Sequence, residues 1–198
     1  MPCTPPRSRG AIAWWMQMSI ERADAVVGAT RQWLERAVIG LNLCPFAKAV
    51  HVKQQIRYVV SDTQTPDALL AELERELAFL VEADPAQVDT TLLIVPQQFA
   101  AFLDFFFFLN EAEALLKRME LTGVLQIASF HPHFEFAGND PDDIANHTNR
   151  SPYPTLHLLR EASLDRAVAA FPDAAEIYER NIETLEKLGH AGWNALFK

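Results

Sequence analysis

TLLIVP, residues 91–96, is apolar on both faces of an extended chain, and the fold is read outward from it. A strand with one wet face alternates polar and apolar side chains, whereas a strand covered on both sides does not. TLLIVP is therefore read as a central strand with helices over both faces. Just before it, PDALLAELERELAFLVEAD (66–84) sets Leu69, Leu70, Leu73, Leu77 and Leu80 at helical spacing. Just after it, a helix from Phe99 to about Met119 holds the run FFFF (105–108). Its expected apolar stripe is Phe102, Phe105, Phe106, Leu109, Leu116 and Met119.

Farther out, QQIRYVVS (54–61) alternates Ile56, Tyr58 and Val60 with more polar neighbours, as an edge strand does, and VLQIASF (124–130) is a third strand. A first helix is expected from about Ile20 to Ile39, ended by Gly40 in a left-handed C-cap. Thr155-Leu-His-Leu-Leu-Arg-Glu-Ala reads as a helix start, with His157 and Glu161 one turn apart and His157 structural. Ser163 and Asp173 are expected as later N-caps and Gly189 as a helix end.

The order α-β-α-β-α-β-loop-α-α implies a single α/β domain. It has a small sheet of about three mainly parallel strands, helical crossovers and a helical C-terminal third. A ferredoxin-like α+β arrangement is the alternative. The domain is assigned to 18–198, with 1–17 a loose N-terminal extension. Met18 is a natural start, and the apolar run AIAWWM is too short for a signal peptide and is followed by Gln17.

A chain of 198 residues, 49% hydrophobic and 22% charged, has the length and composition of one globular domain. Its formal charge of −9, with no cluster of Lys and Arg, excludes nucleic acid as the main partner. No run approaches the roughly 20 apolar residues of a membrane span. Cys3 and Cys44 form no CxxC pair or disulfide framework, which points to a reducing, cytoplasmic setting.

Chemistry-bearing residues concentrate in SFHPHFEFAGNDPDDIANHTNRSPYP (129–154). Strand alternation places Ser129, His131, His133 and Glu135 on one face, and Pro132 weakens the pairing there. His131 and His133 at that spacing suit a shared metal ion, with Glu135 as third ligand. Packing at a strand end is the other reading. NDPDD (139–143) is read as a capped helical turn with Asp140 as N-cap. In NHTNRSPYP (146–154), Asn146, His147, Asn149 and Arg150 form a dense polar group. Arg150 presents a fork suited to a carboxylate or phosphate, or to an ion pair with Asp142, Asp143 or Glu161. Cys44, between a helix end and Pro45, is either a small buried hydrophobe or a thiolate ligand or nucleophile.

WLERAVIGLNLCPFAKAV (33–50) and FHPHFEFAGNDPDDIANHTNRSPYPTLHLLRE (130–161) resemble a bacterial family known only as a domain of unknown function, from about Ile20 onward. Cys44-Pro45-Phe46-Ala47, His131-Pro132, Arg150 with Pro152 and Pro154, and Leu159-Arg160-Glu161 also resemble the YcgG-type proteins. Some of those are haem-dependent N-oxygenases acting on the arginine guanidino group. That resemblance implies Cys44 or His131 as axial ligand, and Arg150 or Arg160 as partner of a propionate or a substrate carboxylate.

Three functions are expected from these residues. The first is an iron-centred enzyme, a haem-dependent oxidoreductase acting on a small anionic or zwitterionic molecule, with His131, His133, His147 and Arg150 catalytic and Asn146, Asn149 and Arg150 holding substrate. The second is a hydrolase whose divalent metal is held by His131 and His133. The third is a non-catalytic module that binds a carboxylate or phosphate.

Overall fold

The computed structural model describes residues 9–170 and 176–198, with 9–19 described by backbone alone. Cys3 and Asp173 lie outside the described residues. The helices are α1 (Arg9–Trp33), α2 (Ala47–Val52), α3 (Pro66–Glu82), α4 (Phe102–Arg118), α5 (Glu161–Ala169) and α6 (Ile177–Ala195). The strands are β1 (Ile56–Val60), β2 (Thr90–Ile94), β3 (Leu125–Phe130) and β4 (Thr155–Arg160), in the spatial order β1-β2-β4-β3. The chain is thus a single small α/β domain with a mixed sheet and a helical C-terminal part.

β1 and β2 are parallel, and β4 lies antiparallel to both β2 and β3. The three strands expected from sequence therefore all run the same way, and a fourth is inserted against them. β4 is the segment TLHLLR that helical spacing assigns to a helix; the helix begins only at Glu161. A short, mostly apolar run satisfies periods of 2 and 3.6 equally well, and tertiary contact decides between them. Here Leu156 and Leu158 alternate into the core and are fully buried. Between β2 and β3, β4 pairs along both of its edges, Thr155–Leu159 against β2 and Thr155–Arg160 against β3.

One face of the sheet carries the larger core. Leu69, Leu73, Leu77 and Leu80 of α3 and Phe105, Phe108, Ala112, Leu115 and Leu116 of α4 pack there on Leu93, Leu125, Leu156 and Leu158. The stripe of α4 is rotated from the expected one. Phe108 is buried, whereas Phe106 and Phe107 are 51% and 59% exposed. The other face carries α1, α6 and the turns between them, with Trp33, Leu34, Ala37, Val38, Leu43, Leu185 and Trp193 in contact.

α1 starts well before Ile20 and passes directly into a π-helical segment, Leu34–Ile39, whose wide turns bury Leu34, Ala37 and Val38. Gly40 closes it with φ −62°, not in the expected left-handed conformation, which Asn42 adopts instead at φ 56°. The glycine is needed for a different reason: a Cβ at position 40 would collide with the carbonyl oxygen of Arg36. Gly189 forms a kink inside α6 at φ 63°, where a helix end was expected.

Two substitutions test this division of the apolar residues. Leu158→Ala is expected to destabilise the fold by about 2–5 kcal/mol, the usual cost of a cavity at a fully buried leucine. Phe107→Ala is expected to stay within about 0.5 kcal/mol, as at other exposed positions. Urea unfolding of both variants measures this, and similar losses in the two would contradict the burial assignment.

Candidate functional site

The polar stretch after β3 is held together by its own side chains. β3 ends at Phe130, and His131 turns inward until it is 1% exposed. Its Nε2–H donates to the carbonyl of Phe99 (2.8 Å), and its Nδ1 accepts the backbone N–H of His133 (3.0 Å). With both ring nitrogens engaged, and Phe102 and Phe105 stacked near it, His131 has no lone pair free for a metal. His133 and Glu135 are exposed at the surface. Burial lowers the pKa of His131 further, which keeps the ring neutral.

The remaining polar groups of the loop replace a backbone ladder. Asn146 is fully buried, accepts from the N–H of Phe136 (3.0 Å) and donates to the carbonyl of Asp140 (2.9 Å). Asn149 donates to the carbonyl of Ser129 (3.3 Å). Arg150 donates to the carbonyls of Phe134 (3.2 Å) and Pro141 (2.6 Å), rather than to any of the three carboxylates considered for it. The helical turn expected in NDPDD is a 3₁₀ turn, Ile144–Thr148, capped by Asp143 rather than Asp140. His147 is buried against Trp193, with ring centroids 4.7 Å apart, and its Nδ1 has no hydrogen-bond partner. Burial, with the nearby charges of Arg150 and His190, brings its pKa down from 6.5 to about 4.

Cys44 and Arg160 belong to a different place. Both line a cavity of about 740 Å³ between the sheet and the helical layer of α1, the π-helical segment, α2 and α5. Trp33, Phe46 and Phe130 give it aromatic walls. That is the size and character of a small-molecule site, with mostly apolar walls and a few polar groups. Burial pushes the Cys44 thiol up, and the amide N–H groups of Phe46 and Ala47 offset part of that effect. The free cysteine is therefore a neutral thiol at physiological pH.

The floor of the cavity contains a residue that sequence reasoning set aside. Strand alternation turns Leu156 and Leu158 into the core and His157 to the opposite face, across from Leu92 and Ala128. His157 Nε2 lies 2.7 Å from Thr90 Oγ1, and that hydroxyl donates to the carbonyl of Leu158 (2.7 Å). A hydroxyl has one proton to give, so Thr90 must accept from Nε2–H. The tautomer is thereby fixed, and Nδ1 keeps a lone pair with no hydrogen-bond partner among the described residues. Desolvation brings the pKa of His157 down to about 4, so the ring is neutral near pH 7 although it opens on the cavity. Reading TLHLLR with period 2 is the one sequence signal that would have separated His157 from its leucine neighbours.

No group of three His, Cys, Asp or Glu side chains able to hold a metal ion occurs among the described residues. No helix among them is long and apolar enough to cross a membrane.

His147 and His157, the two histidines depressed to about 4, make stability depend on pH with a definite sign. In the unfolded chain they take up protons near 6.5, whereas in the folded protein they resist until about 4. The unfolded state therefore binds more protons in that interval, and stability falls as pH drops through it. The thermal midpoint is expected to decrease steadily from pH 6.5 to 4, less steeply in His157→Gln. A midpoint flat between pH 7 and 5 would contradict the burial of both rings.

Comparison with known proteins finds no curated protein and no solved structure that matches this chain. One family model matches residues 25–195, which takes in the π-helical segment, all four strands and all of α6. The chain therefore belongs to the family described as "Protein of unknown function (DUF1415)".

Proposed function

We propose that this protein is an enzyme that binds an apolar small molecule in the cavity beside β4 and uses His157 as its general base. The observation that carries this reading is the state of the imidazole. It is neutral, its Nε2–H is committed to Thr90, and its Nδ1 lone pair has no hydrogen-bond partner among the described residues. A base must be unprotonated and aimed before substrate arrives, and a fixed tautomer provides both. Thr90 orients the ring as a positioning residue, since its hydroxyl acts through His157. Cytoplasmic residence suits the same reading, because Cys44 stays a free thiol on the cavity wall.

The test is an incubation in D2O with a panel of apolar ketones, carboxylic acids and esters, read by mass spectrometry for deuterium uptake or ester cleavage. At least one compound is expected to turn over, with the rate falling about 10²–10⁴-fold in His157→Gln, the usual contribution of general-base catalysis. Because the pKa of His157 is about 4, the rate is expected to hold level as pH falls from 7 to about 5. Equal turnover by both proteins would remove His157 from the reaction.

A second reading is favoured by one observation, that Cys44 and Arg160 line the same aromatic-walled cavity. In it the cavity would accept haem, which Cys44 would hold through its sulfur, with Arg160 as the candidate partner of a carboxylate of the cofactor. Bound haem would supply oxygen or electron-transfer chemistry, and Trp33 and Phe130 would pack against the ring and exclude water. Titration with hemin is expected to give a Soret band that shifts in Cys44→Ser. A Soret band unchanged from that of free hemin, in folded protein, would eliminate haem.

A further inference from the structure

The outer side of α4 is apolar where a surface helix is ordinarily polar. Phe105, Phe108, Ala112, Leu115 and Leu116 are buried against the sheet and α3, whereas Leu103, Phe106 and Phe107 are exposed. At about 100° per residue, Leu103, Phe107, Asn110, Ala114 and Lys117 fall along one line of the helix, in alternating steps of four and three. Ala114 is half-buried and the other four are exposed. Phe106 flanks this line, with its ring 6.3 Å from that of Phe107 and 6.4 Å from that of Phe102. Steps of four and three are the spacing of a seam between two helices. A helix that is apolar on both sides is ordinarily covered on both.

The charges beside the seam are segregated. Asp104 lies in the first turn of α4, and Lys117 and Arg118 lie in the last. The ion pairs found among the described residues join His51 to Glu35, Arg57 to Glu76 and Lys187 to Glu183, so none of these three charges is neutralised within the protomer.

Such a seam complements itself. If a second α4 lies antiparallel on the first, with a two-fold axis between Asn110 and Glu111, Phe107 falls opposite the partner's Ala114 and Asp104 opposite the partner's Lys117. Leu103 falls opposite the partner's Arg118. A large ring meets a small methyl group, an acid meets a base, and the axis repeats each contact at the other end. Asn110 sits near the axis, where a polar residue in a seam fixes register. A parallel pair would instead set Asp104 against Asp104 and Lys117 against Lys117, and like charges in contact oppose association.

From this pattern we propose that the outer face of α4 docks a second copy of this chain, forming a two-fold dimer through an antiparallel α4 pair. The inference is independent of the cavity, which lies on the opposite face of the sheet and stays open in the dimer. An interface built around one helix is small, so the dimer forms in a concentration-dependent equilibrium.

Sedimentation velocity of the full chain, from micromolar to near-millimolar concentration, tests the proposal. The chain is expected to pass from monomer to dimer across that range, and Phe107→Glu is expected to stay monomeric throughout. Because Phe107 is exposed in the protomer, its loss is read in association, and the folding of dilute protein is unchanged. Asp104→Lys and the double variant Lys117→Glu/Arg118→Glu are each expected to weaken the dimer about tenfold or more, and combining all three substitutions is expected to restore it. Under mild oxidation Asn110→Cys is expected to give a disulfide-linked dimer that the unsubstituted chain does not give. Lys117→Cys, about 20 Å from its symmetry mate along the pair, is not expected to do so. A chain that stays monomeric over the whole range would overturn the proposal. A dimer that survives Phe107→Glu would overturn the assignment to α4. Failure of the triple variant to restore association, or crosslinking through Lys117→Cys rather than Asn110→Cys, would overturn the antiparallel register.

Discussion

The insertion of β4 between β2 and β3 is the constraint on which the rest of the molecule depends. It joins an edge strand to a two-stranded parallel pair, so the sheet exists as one layer only because β4 pairs on both sides. Its alternate side chains serve two compartments. Leu156 and Leu158 close the core beneath α3 and α4, and His157 opens on the opposite face. A strand cannot slip by one residue without exchanging those roles, so the apolar core fixes the register that aims the imidazole. Core packing and the orientation of His157 are therefore set by the same hydrogen-bond ladder.

The long connection from β3 to β4 follows from that arrangement. A loop of this length buries backbone groups that no ladder can satisfy, and the side chains of Asn146, Asn149, Arg150 and His131 bond them instead. The density of polar residues in 129–154 has this structural cause. It also explains why those residues resemble a catalytic cluster in sequence. Groups that bond the backbone from a distance are of the same types that bind ligands.

Much of the architecture was legible in the residues. The all-apolar TLLIVP marked the central strand, the leucines of α3 marked a helix, and the alternation in QQIRYVVS marked an edge. Two things were not legible. A six-residue run such as TLHLLR carries both periodicities, and only its neighbours in space choose one. The α4 run of four phenylalanines hides its own phase, because consecutive identical residues carry no periodic signal. The candidate site was legible only in part: Cys44 and Arg160 lie on the cavity, but His157 was assigned a structural role and Thr90 was not singled out. Their association is created by β4 and α5 folding back beside residues far earlier in the chain, which no local pattern records.

The π-helical segment after α1 determines which of its residues reach the cavity wall. Trp33 and Val38, five positions apart, would lie about 140° apart around an ordinary helix of 3.6 residues per turn. Both nonetheless line the cavity, because the wide turn carries more residues per circuit. A π turn, with i→i+5 hydrogen bonds, takes up one residue more than the α turn it replaces. Deleting a single residue within 34–39 would therefore rotate one side of the pocket away from the other.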